Sequence, residues 1–183
     1  GGPALARPYK TKFMDDFLKY VRDRKLPLDF FSWHSYTADV NVIKTIAKHV
    51  REQLDAHGFE HTESHLNEWN HFESDFRIIW NEHSEFVRRR TFEKQKNEEG
   101  ASYVAAVLAA MQDLPIDRAN YYDGQPTAVF CGLFDYYGAP RKTYYAFEAF
   151  HAMTKMSERV ETVHHEAPGL YSLAGKDEQG NQA

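Results

Sequence analysis

The stretch HLNEWN, residues 65–70, sets a carboxylate, Glu68, between the amide of Asn67 and the indole of Trp69, with Asn70 just beyond. A carboxylate held at the end of a short apolar run can act as a nucleophile or as a general acid or base. Neighbouring hydrogen-bond donors keep such a group ionised. An indole offers a flat apolar face to a ring-shaped ligand. The set suits the binding and cleavage of a sugar. The plainer reading is a solvated strand-end carboxylate paired with an arginine, and these residues by themselves leave both open.

The elements that must position Glu68 alternate along the chain. Phe13, Phe17 and Val21 recur every four residues, with Met14 and Leu18 beside them, which predicts an amphipathic helix over KFMDDFLKYVRDRK. After Pro27 the aromatic run LDFFSWHSY is too short for a helix and reads as a buried strand. Val40, Ile43, Ala47, Val50 and Leu54 mark one face of a second helix, with Gly58 as its C-terminal cap. TESHLNEW is a second strand, ending at Glu68. Residues 70–99 read as a long polar and aromatic loop with helical turns. EEGASYVAAVLAAMQDLP predicts a helix with Val104, Leu108 and Met111 in register, IDRANYYDG a third strand, and KTYYAFEAFHAMTKMSERV a last helix.

Short, almost continuously apolar strands separated by helices call for a parallel sheet with helices outside it. A doubly wound sheet and a (β/α)₈ barrel both fit. No Gly-rich phosphate loop follows any strand, which counts against a nucleotide-binding sheet. Every strand ends in polar groups: Ser32, His34, Ser35 and Tyr36; Asn67, Glu68 and Asn70; Tyr121, Tyr122 and Asp123. Barrels carry their chemistry at those ends, so the barrel is the expected fold. The tail from Ala167 alternates around Leu170, Ser172 and Ala174 and turns at KDEQGN, like the first hairpin of a β-domain.

Composition narrows the partners. With 183 residues the chain can bury a sizeable core. A net charge of −5 and no basic stripe argue against a nucleic-acid or anionic-membrane partner. No apolar run approaches the roughly 18 residues of a membrane span. The single cysteine, Cys131, excludes an internal disulfide. The opening GGPALARPYK has neither an initiator Met nor a leader, so it is expected to continue from an upstream segment. Eleven Tyr and 13 Phe raise the aromatic share to 15%, enough to furnish a stacking cleft besides a core.

Three other motifs compete for attention. His57, His61 and His65 recur every four residues around Glu63, a metal-ligand row if they share one helix. Gly58 and Thr62 break that helix, and no metal is assigned. Arg88–Arg90 are a solvated run or a clamp for the carboxylate of an acidic sugar. WNEH, residues 80–83, mimics an Asn-Glu acid/base motif at Glu82, but after Glu68 and inside the polar loop.

In the order PLDFFSWHSY, HLNEWN, ANYYDG and GLFDYYGAPRKTYYAFEAF the chain resembles the second half of glycoside hydrolase family 39, which holds β-xylosidases and α-L-iduronidases on (β/α)₈ barrels. The resemblance covers almost the whole chain. It implies that residues 1–165 are the C-terminal half of the barrel, strands 5 to 8, and that 166–183 begin an accessory β-domain. Gly1 to Ala4 then leave the fifth strand, and Asp29–Tyr36, His65–Trp69 and Ala119–Asp123 are the sixth, seventh and eighth. Glu68 falls on the family's nucleophile of a retaining, double-displacement hydrolysis. His34, Tyr36 and Asn67 are expected to orient it or bind sugar hydroxyls, with ordinary barrel filling as the alternative. Trp69 is expected to face a pyranose ring. Tyr122 and Asp123 are sugar-binding candidates, although relatives often carry a Trp where this chain has NYYDG. The family's acid/base Glu precedes the nucleophile on the fourth strand, outside this chain. The expected partners are a glycoside or oligosaccharide and the remaining half of the barrel, in the same or another chain. No cofactor is implied. The competing reading is a non-catalytic half-barrel that binds sugar or self-associates.

Overall fold

The computed structural model describes residues 1–9, 11–73, 76–81, 83–126, 130–163 and 169–183. In chain order the elements are α1 (Phe13–Asp23), β1 (Phe30–Tyr36), α2 (Val40–Ala56), β2 (Glu63–Asn70), α3 (Phe76–Ile79), α4 (Glu85–Lys94), α5 (Glu98–Met111), β3 (Arg118–Tyr121), α6 (Lys142–Met153), β4 (Glu158–Val160) and β5 (Ala174–Lys176). They form two compact units, Gly1–Glu73 with Asp113–Gly124, and Ser74–Gln112 with Gln125–Ala183. The expected domain boundary at 165/166 lies outside the described residues.

The first unit is built on a three-stranded parallel sheet in the order β1-β2-β3. One face of it is apolar. Phe31, Trp33, Leu66 and Trp69 are at most 1% exposed. Burying each such side chain stabilises the fold by roughly 1.5–3 kcal/mol. Upstream, Leu5 makes a parallel bridge to Trp33, donating to the Ser32 carbonyl and accepting from His34 N–H. Gly2 permits this approach: a Cβ there would sit inside the backbone of Phe31 and Ser32.

Helix α1 buries Met14, Leu18 and Val21. The stripe is therefore turned from the expected one, and Phe13 is 49% exposed. Phe17 keeps an edge contact with Phe31 of β1. Helix α2 buries Val40, Ile43, Ile46, Ala47, Val50 and Leu54, and Asp39 caps it by accepting from Asn41 N–H. Gly58, at φ +83°, ends it as expected. The turn into β2 is tied by Arg51, whose guanidinium donates to the carbonyls of Phe59 and Thr62. Thr62 in turn donates to Leu28 O ahead of β1.

The second unit corrects the expected long loop. Residues 85–94 form a ten-residue helix, α4, despite having no marked apolar stripe, and α3 precedes it. An aromatic cluster holds this region. Phe92 meets Phe130 at 5.3 Å and Trp80 meets Phe92 at 6.4 Å between ring centroids. Helix α5, capped by the Asn97 side chain, packs against α6. The tail does turn at KDEQGN, where the Asp177 carboxylate accepts from Gln179 and Asn181 N–H. Its strand β5 pairs antiparallel with β4, so the hairpin partner lies ahead of the tail.

Candidate active site

β1 adds no extra residue to the ladder, so Ser32, His34 and Tyr36 share one face and Phe31, Trp33 and Ser35 the other. β2 does not alternate strictly. Trp33 pairs with Leu66 but His34 pairs with Glu68, so Asn67 is an extra residue in the ladder. This β-bulge re-aims everything after it. Without it, Glu68 would share a face with Leu66 and enter the apolar layer. With it, Glu68 pairs with His34, Trp69 with Ser35 and Asn70 with Tyr36. The carboxylate thereby joins the polar face and the indole stays in the core.

On the polar face Tyr36 Oη donates to Glu68 Oε2 at 2.9 Å. His34 Nδ1 lies 3.4 Å from the same oxygen. Glu68 Oε1 accepts no hydrogen bond among the described residues. The glutamate side chain is 31% exposed and His34 16% exposed, so the pair is sheltered yet reachable. His34 Nε2 and Asn67 Oδ1 are buried and have no hydrogen-bond partner among the described residues. The Tyr36 ring stands between Phe72 and Tyr122, edge-on to each at 6.5 Å.

Asn70 fixes the third strand to this arrangement. It is fully buried, its Nδ2 donates to Tyr122 O at 2.7 Å, and its Oδ1 accepts from His71 N–H. Tyr122 N–H donates to Trp69 O. Tyr122 is 39% exposed beside Tyr36. Asp123 follows it, half-buried. The structure thus gathers Glu68, His34, Tyr36 and Tyr122 at one end of the sheet. Asn67 serves as the bulge. Sequence reasoning missed the bulge itself, although an Asn inside a strand, where Asn is disfavoured, was a usable signal. It also left Asn70 without a role.

Trp69 is not where it was expected to act. It is 1% exposed and meets Tyr121 edge-on at 5.1 Å, on the face opposite Glu68. Its ring is buried on the face away from the carboxylate. The histidine row is not one either. His57 ends α2, bonded to Gln53 O and to Asp15, while His65 sits on β2, stacked on Phe30 at 4.4 Å. Glu82 lies outside the described residues.

The start of β2 is a structural ion network. Glu63 accepts from His65 Nε2 at 2.6 Å and Arg118 Nε at 3.2 Å. These bonds, His65 first, hold the Glu63 carboxyl below the ordinary glutamate value of 4.5. A depressed carboxyl adds stability that is present above its unfolded pKa and lost as pH falls through its folded one. Carboxyl NMR should therefore give Glu63 a midpoint below 4.5. Glu63→Gln should flatten the acid limb of the stability curve below about pH 4.5. A midpoint at or above the ordinary value would remove the network as the cause.

The chain matches no family profile. A solved glucosidase structure from Croceicoccus marinus superposes with a TM-score of 0.74 at 27% identity, over 98% of this chain and 37% of that one. A β-xylosidase from Geobacillus stearothermophilus is 25% identical over 182 residues, 84% of this chain and 33% of that one. A family-39 β-xylosidase structure from Caulobacter crescentus matches with a TM-score of 0.59 and 20% identity, over 83% of this chain and 32% of that one. The chain spans about a third of the length of these relatives. These neighbours are glycosidase barrels, and the α/β fold described above is shared with them. In sequence and in fold, then, the chain resembles the glycoside hydrolases of family 39.

Proposed function

We propose that this chain carries the nucleophile side of a retaining glycoside hydrolase of β-xylosidase type, with β1, β2 and β3 as the sixth, seventh and eighth strands of its barrel. The observation that carries the reading is the bulge at Asn67, which lifts Glu68 onto the face of His34 and Tyr36 and gives it a donor at 2.9 Å. The likeness to glycosidases supports it. In this reading Gly1 to Ala4 leave the fifth strand, and the tail leads into an accessory β-domain. The remaining strands, in the same or another chain, supply the acid/base carboxyl about 5–5.5 Å from Glu68.

The chemistry follows from the contacts. Tyr36 Oη holds Glu68 Oε2, so Oε1 keeps its lone pairs for the anomeric carbon. Oε1 forms the bond to that carbon as the glycosidic C–O bond breaks, and the acid/base group protonates the departing oxygen. Water, deprotonated by the same group, then attacks the anomeric carbon and frees Glu68 with the original configuration. His34, beside Glu68 Oε2, and Tyr122, 39% exposed, stand where a sugar hydroxyl and a ring edge would be met.

The test is a 2-deoxy-2-fluoro-xyloside with a good leaving group, applied to the full-length protein, followed by peptide mapping. A mass increment of one fluorosugar on Glu68 is expected. A label on another carboxylate, or hydrolysis with inversion, would overturn the assignment. Tyr36→Phe removes one hydrogen bond to a charged acceptor, worth roughly 1.5–3 kcal/mol. That corresponds to a drop of about ten- to a hundredfold in kcat/KM, measured with an aryl glycoside. An unchanged kcat/KM would leave Tyr36 as filling.

A further inference from the structure

The second unit holds a groove of about 530 Å³ between α4 and the turn that precedes α6. Arg88, Arg89 and Phe92 line it from α4, and Tyr136, Tyr137 and Arg141 from the turn. The turn is rigid. The Asp135 carboxylate accepts from Tyr137 and Ala139 N–H, and Asp135 N–H donates to Ala139 O. It presents Tyr136 at 67% and Tyr137 at 92% exposure, set edge to face at 5.5 Å.

The charges in the groove are unevenly spent. Glu93 is paired with Arg141 at 3.0 Å, and the Asp135 carboxylate is taken up by its own turn. Arg88 is half-buried and Arg89 exposed, and neither guanidinium has a hydrogen-bond or ion-pair partner among the described residues. Lys96 also lines the groove, and among the described residues Glu85 is the one lining carboxylate not already taken up by Arg141 or by the turn. Two guanidinium groups without a carboxylate partner leave their donors to water or to an anion. The planar fork of a guanidinium fits a carboxylate in two parallel bonds. An exposed tyrosine face suits the C–H side of a pyranose ring.

We infer that this groove binds an acidic oligosaccharide, with the sugar carboxylate on Arg88 and Arg89 and a pyranose ring against Tyr137. The choice of a glycan rests on the glycosidase reading; the choice of an acidic one rests on the groove's own charges. The site lies on different elements from Glu68, and its occupant need not be cleaved there.

The experiment uses the full-length protein carrying Glu68→Gln, titrated calorimetrically with a glucuronate-bearing xylo-oligosaccharide and with an unsubstituted one of equal length. The acidic ligand should bind at least about tenfold more tightly, and that advantage should shrink with salt. Arg88→Ala with Arg89→Ala should abolish the advantage and leave the neutral ligand's Kd unchanged. Tyr137→Ala should weaken the acidic ligand several-fold. All three positions are half-buried or exposed, and an unchanged Tm verifies the fold. Equal affinities for the two ligands, or an acidic preference that survives the double arginine variant, would overturn the proposal. Failure of the glycosidase reading is distinct: the fluorosugar then leaves Glu68 unlabelled, whatever the groove binds.

Discussion

Glu68→Gln should lower kcat/KM on an aryl glycoside by at least about 10³-fold, equivalent to some 4 kcal/mol of transition-state stabilisation. The substitution is nearly isosteric, and the amide oxygen can still accept from Tyr36 Oη, so Tm should barely move. What is lost is the anionic oxygen that bonds to the anomeric carbon. Glu68→Ala goes further and opens a gap where the carboxylate stood. A small anion such as azide can then enter and displace the leaving group directly. The glycosyl azide formed should have the configuration opposite to the substrate, because the anion attacks from the nucleophile's side. Loss of an acid/base carboxyl would give the other outcome, since azide would intercept a glycosyl-enzyme from the leaving-group side and retain configuration. An inverted azide product therefore assigns Glu68 as nucleophile. A retained one would make it the acid/base group, and activity within tenfold of the parent would remove it from the chemistry.

The same residue shows how far the sequence could be read. The parallel sheet was legible because LDFFSWHSY and TESHLNEW are short apolar runs punctuated by helices with clear 3.6-residue stripes. Glu68, His34 and Tyr36 were legible as strand-end polar groups, and the structure joins them through Oε2. The bulge was not, because period-2 alternation assumes an unbroken ladder. Strict alternation from Leu66 puts Trp69 on the face of Asn67 and away from Glu68's, which does not decide which face is wet. The extra residue decides it, and it depends on pairing with β1 rather than on β2 alone. Helix α4 was hidden for a related reason. EFVRRRTFEK has no apolar stripe, and what anchors it is Phe92 among Trp80 and Phe130, a contact spread over some fifty residues of chain. In α1 the two overlapping four-residue series, Phe13–Phe17 and Met14–Leu18, both satisfy the periodicity. Packing selects the second.

Trp69→Ala then separates a core residue from a ligand platform. The side chain is 1% exposed and packs edge-on against Tyr121. Truncating it leaves a large cavity under the sheet, a loss of about 3–5 kcal/mol for a buried tryptophan. Total stabilities of roughly 5–15 kcal/mol make that a severe change. The urea midpoint of the full-length protein should fall accordingly, while any variant that still folds should keep a near-parental KM. Trp69→Phe retains much of the volume and should cost distinctly less. A platform would behave in the opposite way: Tm would hold and KM would rise, with Phe rescuing binding rather than stability. The bulge explains why the first outcome is expected. It consumes one residue between Leu66 and Glu68, so the indole joins Leu66 in the apolar layer and the carboxylate turns to the face of His34 and Tyr36. A chain that placed Trp69 on the ligand would have to return Glu68 to the core, where an unpaired carboxylate costs more than the buried indole gains.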